Sequence, residues 1–309
     1  MKIVFLDTKT LGKDINLDNF NTLGEVVKYE TTEPNETLAR VQNCDVVVTN
    51  KVLIPKEIIE QSKFKLICIT ATGTNNIDLE AAQKANIAVK NVSDYSTSSV
   101  SQLTFTLVLE LIQKISYYKE YVDSLQWSKS NLFTHIDKPF FELKNKKWGI
   151  IGLGNIGKEV AKIATAFGCE VNYYSTSGKN LNTDYNSITL EELLKTSDVI
   201  SIHSPLNDST YNLINKTNLD LLKEDTILVN VGRGGIINEE DLAKKLDSSK
   251  SLYCGLDVVE KEPIEEENPL LKIKNKDRLI LTPHIAWASI EARTTLINKV
   301  FDNIKSFVL

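Results

Sequence analysis

The sequence predicts an α/β protein of two doubly wound, parallel-sheet domains in series. Three observations carry this. Short β-branched runs alternate with helix-length segments along the chain; the alternation restarts after Lys147; and a glycine hexad, Gly152-Leu153-Gly154-Asn155-Ile156-Gly157, stands where the restarted series passes from its first strand to its first helix. A chain of 309 residues is long for one ordinary domain. It suits two, each able to bury its own core, with a cleft between them.

In the first series the strand-like runs are residues 3–6, 44–49, 66–70 and 87–92. In the second they are 148–151, 171–174, 199–203, 226–231, 253–258 and 279–282, with helix-length segments such as 158–167 between them. Residues 99–115 carry Val100, Leu103, Phe105, Leu107, Leu109, Leu111 and Ile112, a helix apolar around most of its circumference and therefore buried on most faces. It joins a first domain, residues 1–98 completed by 287–309, to a second at 99–286. Residues 116–147 hold Trp127, Phe133, Phe140 and Phe141 among polar neighbours, a pattern that suits an arm packing on a second copy of the chain.

A net charge of −5, with lysines scattered among acids, excludes a nucleic-acid binder. The opening Met1-Lys2-Ile3-Val4-Phe5-Leu6-Asp7 reads as a buried strand and not as a signal peptide. No apolar stretch approaches the roughly 20 residues that span a bilayer, so a cytoplasmic protein without membrane contact is expected. Cys44, Cys68, Cys169 and Cys254 are far apart and lack C-x-x-C spacing or a nearby His, so buried reduced thiols are expected and no metal.

Three of the 13 glycines fall within the hexad. The physics is specific: Gly152 permits a tight turn, Gly154 lets the backbone approach a pyrophosphate, and Gly157 lets helix pack on strand, with the helix N-terminus facing the anion. At the end of the next strand, where an acid ordinarily bonds the adenosine ribose 2′-hydroxyl, the chain reads Tyr174-Ser175-Thr176-Ser177-Gly178-Lys179. The hydroxyls of Ser175 and Thr176 with the Lys179 ammonium would accept a 2′-phosphate; an NAD site with a weaker ribose contact is the equal alternative. NADP lacks its usual Arg here, because the four arginines, Arg40, Arg233, Arg278 and Arg293, lie elsewhere.

Arg233 sits between glycines directly after the run 226–231, at the strand end where ligands collect in open α/β sheets. A guanidinium there grips a carboxylate by two parallel hydrogen bonds and polarises an adjacent carbonyl. His284 follows another strand end and Pro283, and histidine is the side chain that passes protons near neutral pH. Glu262, were it bonded to the imidazole, would favour the protonated ring that reduction of a keto group consumes. His203 ends a strand before Pro205-Leu206 and borders the cofactor without proton chemistry. His135, in the arm, is expected to be an ordinary surface residue.

With the hexad, Val231-Gly232-Arg233-Gly234-Gly235, Gly255-Leu256-Asp257-Val258 through Glu262-Pro263, and Thr282-Pro283-His284 in order, the chain resembles the D-isomer-specific 2-hydroxyacid dehydrogenases. The match covers nearly the full length and includes Ala71-Thr72-Gly73-Thr74-Asn75-Asn76-Ile77-Asp78, similar to that family's substrate loop. Within it, Thr282-Pro283-His284-Ile285-Ala286-Trp287-Ala288-Ser289 looks most like the glycerate dehydrogenase (hydroxypyruvate reductase) branch. The resemblance implies a flavodoxin-like substrate domain closing on a Rossmann domain, NAD or NADP as cofactor, a small 2-keto or 2-hydroxy acid as substrate, and a homodimer joined through the arm. It implies His284 as proton donor, Glu262 as its partner, Arg233 as substrate clamp, and the amides of Thr72 and Gly73 on the substrate carboxylate. Cofactor contacts follow at Asn155, Ile156, Ser175, Val231, Gly232, Arg233, Asp257, His284, Ala286 and Trp287. Two rival readings remain: a phosphoglycerate dehydrogenase-like enzyme, and a nucleotide-sensing corepressor-like scaffold, which tight cofactor binding without turnover would favour.

Overall fold

The computed structural model describes residues 1–179, 184–249 and 251–308. Two compact units emerge, Met1–Ser96 with Trp287–Leu309, and Thr97–Ala286.

The first unit is a parallel sheet of β1 (Lys2–Phe5), β2 (Glu25–Lys28), β3 (Val46–Thr49), β4 (Leu66–Ile69) and β5 (Ala88–Lys90), ordered β2-β1-β3-β4-β5. Its helices are α1 (Thr37–Val41), α2 (Lys56–Glu60) and α3 (Leu79–Lys84). Every residue of β3 and β4 is buried, as expected of a sheet covered on both faces. The strand order reverses between β1 and β3, so the loops after those strands border the crevice where open sheets bind ligands.

The second unit carries α4 (Thr97–Gln113), α5 (Ile115–Asp123), β6 (Lys147–Ile151), α6 (Asn155–Ala166), β7 (Glu170–Tyr174), β8 (Asn186–Ser187), α7 (Leu190–Thr196), β9 (Val199–Ile202), α8 (Lys216–Leu219), β10 (Ile227–Asn230), α9 (Glu239–Ser248), β11 (Tyr253–Leu256) and β12 (Leu279–Leu281). The strands form one parallel sheet ordered β12-β11-β10-β9-β6-β7-β8. One core cluster joins Val100, Phe105, Val108 and Ile112 of α4 to Trp148, Ile150 and Val160. The chain closes on α10 (Ile290–Val308), which returns to the first unit and buries Leu296, Ile297, Val300 and Ile304 against Ile3, Phe5, Val46 and Leu66.

Three features depart from the sequence reading. β2 pairs with β1 although only Val26 and Val27 mark it. The helix expected over 99–115 ends at Gln113, because Lys114 adopts a left-handed conformation (φ 52°, ψ 43°) that starts α5 in a new direction. His135 is not an ordinary surface residue: its ring stacks on Tyr121 with centroids 3.8 Å apart, and Tyr117 Oη lies 2.8 Å from its Nε2. Arm apolar side chains around it are bare, Phe133 being 90% exposed, Ile136 71% and Leu132 69%.

All four cysteines are free and buried, and burial pushes the Cys44 and Cys68 thiols up to about 12. Among the described residues no helix is long and apolar enough to cross a membrane, and no cluster of His, Cys, Asp or Glu could hold a metal ion.

Candidate active site

The glycine hexad forms the turn from β6 into α6. Gly152 has φ 91°, a conformation that side chains strain, and a Cβ there would lie 2.3 Å from Ser204 Oγ. Gly157 lets α6 settle on the turn, since its Cβ would lie 2.3 Å from the Gly152 carbonyl oxygen. Gly154 is different. It caps α6, and a Cβ built on it meets nothing within 4 Å. The space before the helix N-terminus is therefore open, and amides of the first helical turn, that of Ile156 among them, have no intrahelical acceptor. Such a cradle fits the pyrophosphate of a dinucleotide.

At the end of β7, Ser175 Oγ is buried and has no hydrogen-bond partner among the described residues. An orphaned hydroxyl here fits a missing ribose or 2′-phosphate. Thr176 Oγ1 accepts a 3.5 Å bond from Ser204 Oγ, and Lys179 is exposed beyond Gly178. Across the sheet, His203 follows β9 with its Nε2 2.9 Å from Ser201 Oγ, which also accepts from Trp148 Nε1 at 2.9 Å. Its Nδ1 is buried without a partner, and burial lowers the imidazole to about 3. Burial therefore favours the neutral ring. Pro205 is exposed, its carbonyl accepting from Thr210 Oγ1.

Three neighbouring strand ends bring the catalytic candidates into one unit. Arg233 follows β10, Asp257 and Glu262 follow β11, and His284 follows β12. Asn230 closes the Arg233 turn from both sides: its Oδ1 accepts from Gly232 N at 3.0 Å and its Nδ2 donates to Arg233 O at 2.8 Å. Gly234 must be glycine, because a Cβ there would stand 1.9 Å from Val259 O. The Arg233 side chain donates only to Gly232 O, at 2.8 Å, with no acid in ion-pair reach among the described residues. Most of the guanidinium fork is thus uncommitted.

Glu262 and His284 meet, with Oε2 2.7 Å from Nδ1. This fixes the ring through Nδ1 and leaves Nε2 for a substrate. His284 has φ 53°, an uncommon conformation for a non-glycine residue. Asp257 holds it there. The Asp257 carbonyl accepts from His284 N at 2.9 Å, while its carboxylate, 1% exposed, accepts from Thr282 Oγ1 at 2.6 Å, Ile285 N at 2.9 Å and Ala286 N at 2.8 Å. Burial raises the Asp257 carboxyl against the pull of those donors. No local signal marks Asp257 as the anchor of the histidine turn or Asn230 as the clamp of the arginine turn, because their partners are set by strand adjacency.

Val231, directly after β10, is buried, and Thr72, Gly73 and Trp287 are in the first unit. Thr72 O accepts from Asn91 Nδ2 at 2.6 Å and Thr72 Oγ1 donates to Val92 O at 3.0 Å, whereas the amides of Thr72 and Gly73 have no acceptor among the described residues. Trp287 packs edge-on to Tyr95, with centroids 6.3 Å apart.

A parallel sheet whose first turn is a glycine cradle, with an arginine, a glutamate and a histidine at adjacent strand ends, defines a nicotinamide-dependent oxidoreductase. Residues 105–286 match the family model for the D-isomer specific 2-hydroxyacid dehydrogenase, NAD binding domain. The chain is 39% identical to a putative 2-hydroxyacid dehydrogenase of Haemophilus influenzae, over 100% of this chain and 98% of that protein. It is 37% identical to the hydroxypyruvate reductase of Blautia hydrogenotrophica, over 100% and 97%. Among solved structures, an acyclic imino acid reductase in complex with NADPH and D-Arg superposes with a TM-score of 0.86 at 29% identity, covering 100% of this chain and 97% of that one. The protein belongs to the D-isomer-specific 2-hydroxyacid dehydrogenase family.

Proposed function

We propose that the protein reduces a short 2-keto acid, hydroxypyruvate foremost and glyoxylate second, to the D-2-hydroxy acid. The observation that carries this is the 2.7 Å Glu262–His284 contact, with Arg233 after β10 of the same sheet keeping most of its guanidinium uncommitted among the described residues. Similarity to the Blautia hydroxypyruvate reductase supports the choice of substrate.

The bound nicotinamide supplies the hydride. Arg233 binds the substrate carboxylate and draws electron density from the adjoining carbonyl, so that C2 becomes electrophilic. In the first unit, the Thr72 and Gly73 amides, which have no acceptor among the described residues, are proposed as donors to a substrate carboxylate. His284, held through Nδ1 by Glu262, donates the Nε2 proton to the carbonyl oxygen as the alkoxide develops. In the reverse direction Nε2 accepts that proton. Asp257 serves the cofactor site by setting the His284-to-Ala286 turn, and Trp287 continues that segment.

The acid-free end of β7 supports use of both cofactors. Ser175, Thr176 and Lys179 offer donors to a 2′-phosphate and no charge that repels it. The bare arm around Phe133 and Ile136 supports a homodimer, since an exposed apolar patch of that kind marks an interface.

The test is steady-state oxidation of NADH and NADPH with hydroxypyruvate and glyoxylate, for the native protein and for Ser175→Asp. Turnover with both cofactors is expected, with S175D shifted about tenfold toward NADH, about 1.4 kcal/mol of repulsion. An unchanged ratio would remove Ser175 from the ribose site. Tight nicotinamide binding without turnover on any short 2-keto acid would favour the scaffold reading.

A further inference from the structure

The first unit contains a buried carboxylate that the reaction above does not use. Asp7 follows β1 and is 9% exposed, and no cation pairs with it among the described residues. A buried carboxylate without a counter-charge is costly unless hydrogen bonds satisfy it. Here the donors are backbone amides of the loop after β3: Asn50 N at 2.9 Å to Oδ1, Lys51 N at 2.7 Å and Val52 N at 3.4 Å to Oδ2, with Thr49 Oγ1 at 3.4 Å. The device matches that of Asp257, whose buried carboxylate receives the amides of the histidine turn.

The loop that Asp7 holds is hooked at both ends to the segment after β4. Asn50 Nδ2 donates to Thr70 O at 3.1 Å, and Asn76 Nδ2 donates back to Val52 O at 3.1 Å. Ile54 N donates to Asn76 O at 2.8 Å. Between these anchors lie Thr72 and Gly73 with their uncommitted amides.

We propose that Asp7 is a positioning residue for the substrate carboxylate: through Asn50 and Asn76 it fixes the segment that presents the Thr72 and Gly73 amides. This rests on the reading that those amides bind the carboxylate. A purely structural Asp7 would shift thermal stability and active fraction. A positioning Asp7 shifts KM for the keto acid, since donors misplaced by a fraction of an ångström weaken ground-state and transition-state binding together.

The experiment pairs Asp7→Asn with Asn50→Ala, which keeps the Asp7 carboxylate and its amide bonds but cuts the link to Thr70. In both, KM for hydroxypyruvate should rise at least tenfold, with kcat within threefold and NADH affinity within twofold. Hydrogen exchange over residues 70–77 should quicken while 282–286 stays as in the native protein. If D7N does not fold, N50A alone decides by the same readings. KM within twofold of native, or native exchange at 70–77, would overturn the proposal. Were the native protein inert toward every 2-keto acid, the keto-acid reading would fall by itself, and exchange at 70–77 would still decide whether Asp7 holds that segment.

Discussion

Replacing Gly154 by alanine separates binding from folding at the cradle. Gly154 has φ −79° and ψ −162°, which alanine adopts freely, and the added methyl meets no atom within 4 Å. As an N-cap, alanine is worse than glycine by about 0.7 kcal/mol. Removing a glycine from the unfolded chain returns about 0.4–1 kcal/mol. The two nearly cancel, so the free protein should melt within a degree or two of native. The methyl, however, occupies the space through which a pyrophosphate reaches the first-turn amides. A loss of about 10- to 100-fold in NADH and NADPH affinity follows, or about 1.4–2.7 kcal/mol. Gly157→Ala is the contrast: its Cβ would sit 2.3 Å from the Gly152 carbonyl oxygen, an overpacking that costs about 1–3 kcal/mol of stability. Calorimetric titration with each cofactor, alongside melting curves, measures both quantities. G154A binding as tightly as native would refute the pyrophosphate cradle.

Other expectations concern the proton and anion groups. His284→Ala should lower kcat by about 10²–10⁴-fold with little change in KM, as loss of a general acid requires; near-native kcat would displace the assignment. Arg233→Lys should raise KM and lower kcat together, because an ammonium cannot reproduce the fork, and steady-state kinetics that changed only one of them would disagree. Asp257→Asn should cut kcat at least tenfold, since an amide N–H would face the Ile285 or Ala286 amide that the carboxylate now accepts; a melting shift with native kcat would deny Asp257 its hold on His284. His203 is lowered to about 3 by burial, so below about pH 6.5 the unfolded chain takes up a proton that the folded chain refuses. Its contribution is intact above that pH and lost as pH falls. Between pH 7.5 and 5.0 the native protein should lose about 2 kcal/mol more than His203→Gln, and equal losses in urea titrations would contradict a neutral buried ring.

Much of this was legible in the chain because the signals were local. Val46-Val47-Val48 is short and β-branched, which favours a strand buried on both faces, and a glycine hexad between a strand and a helix reads as a phosphate cradle. Arg233 and His284 stood out as chemistry-bearing residues at strand ends. What was not legible depends on contacts distant in sequence. β2 shows two valines between Glu25 and Lys28, too short a pattern for an edge strand, and β8 consists of Asn186 and Ser187, which carry no strand signal. The break after α4 falls on Lys114, where neither Gly nor Pro marks a left-handed residue. Asp7 and Asp257 look like any acid after a strand until the amides of residues 50–52 and 285–286 are seen to point at them.

Hydride transfer to C2 of a short 2-keto acid, with proton donation by His284, leaves a distinct mark on the product. The protein is incubated with hydroxypyruvate and reduced nicotinamide bearing two deuterons at C4, and the product is analysed for mass and chirality. D-glycerate carrying deuterium at C2 is expected, formed by the native protein and nearly absent with His284→Ala. Product without the label at C2, product of the opposite hand, or equal yield from the variant would contradict it.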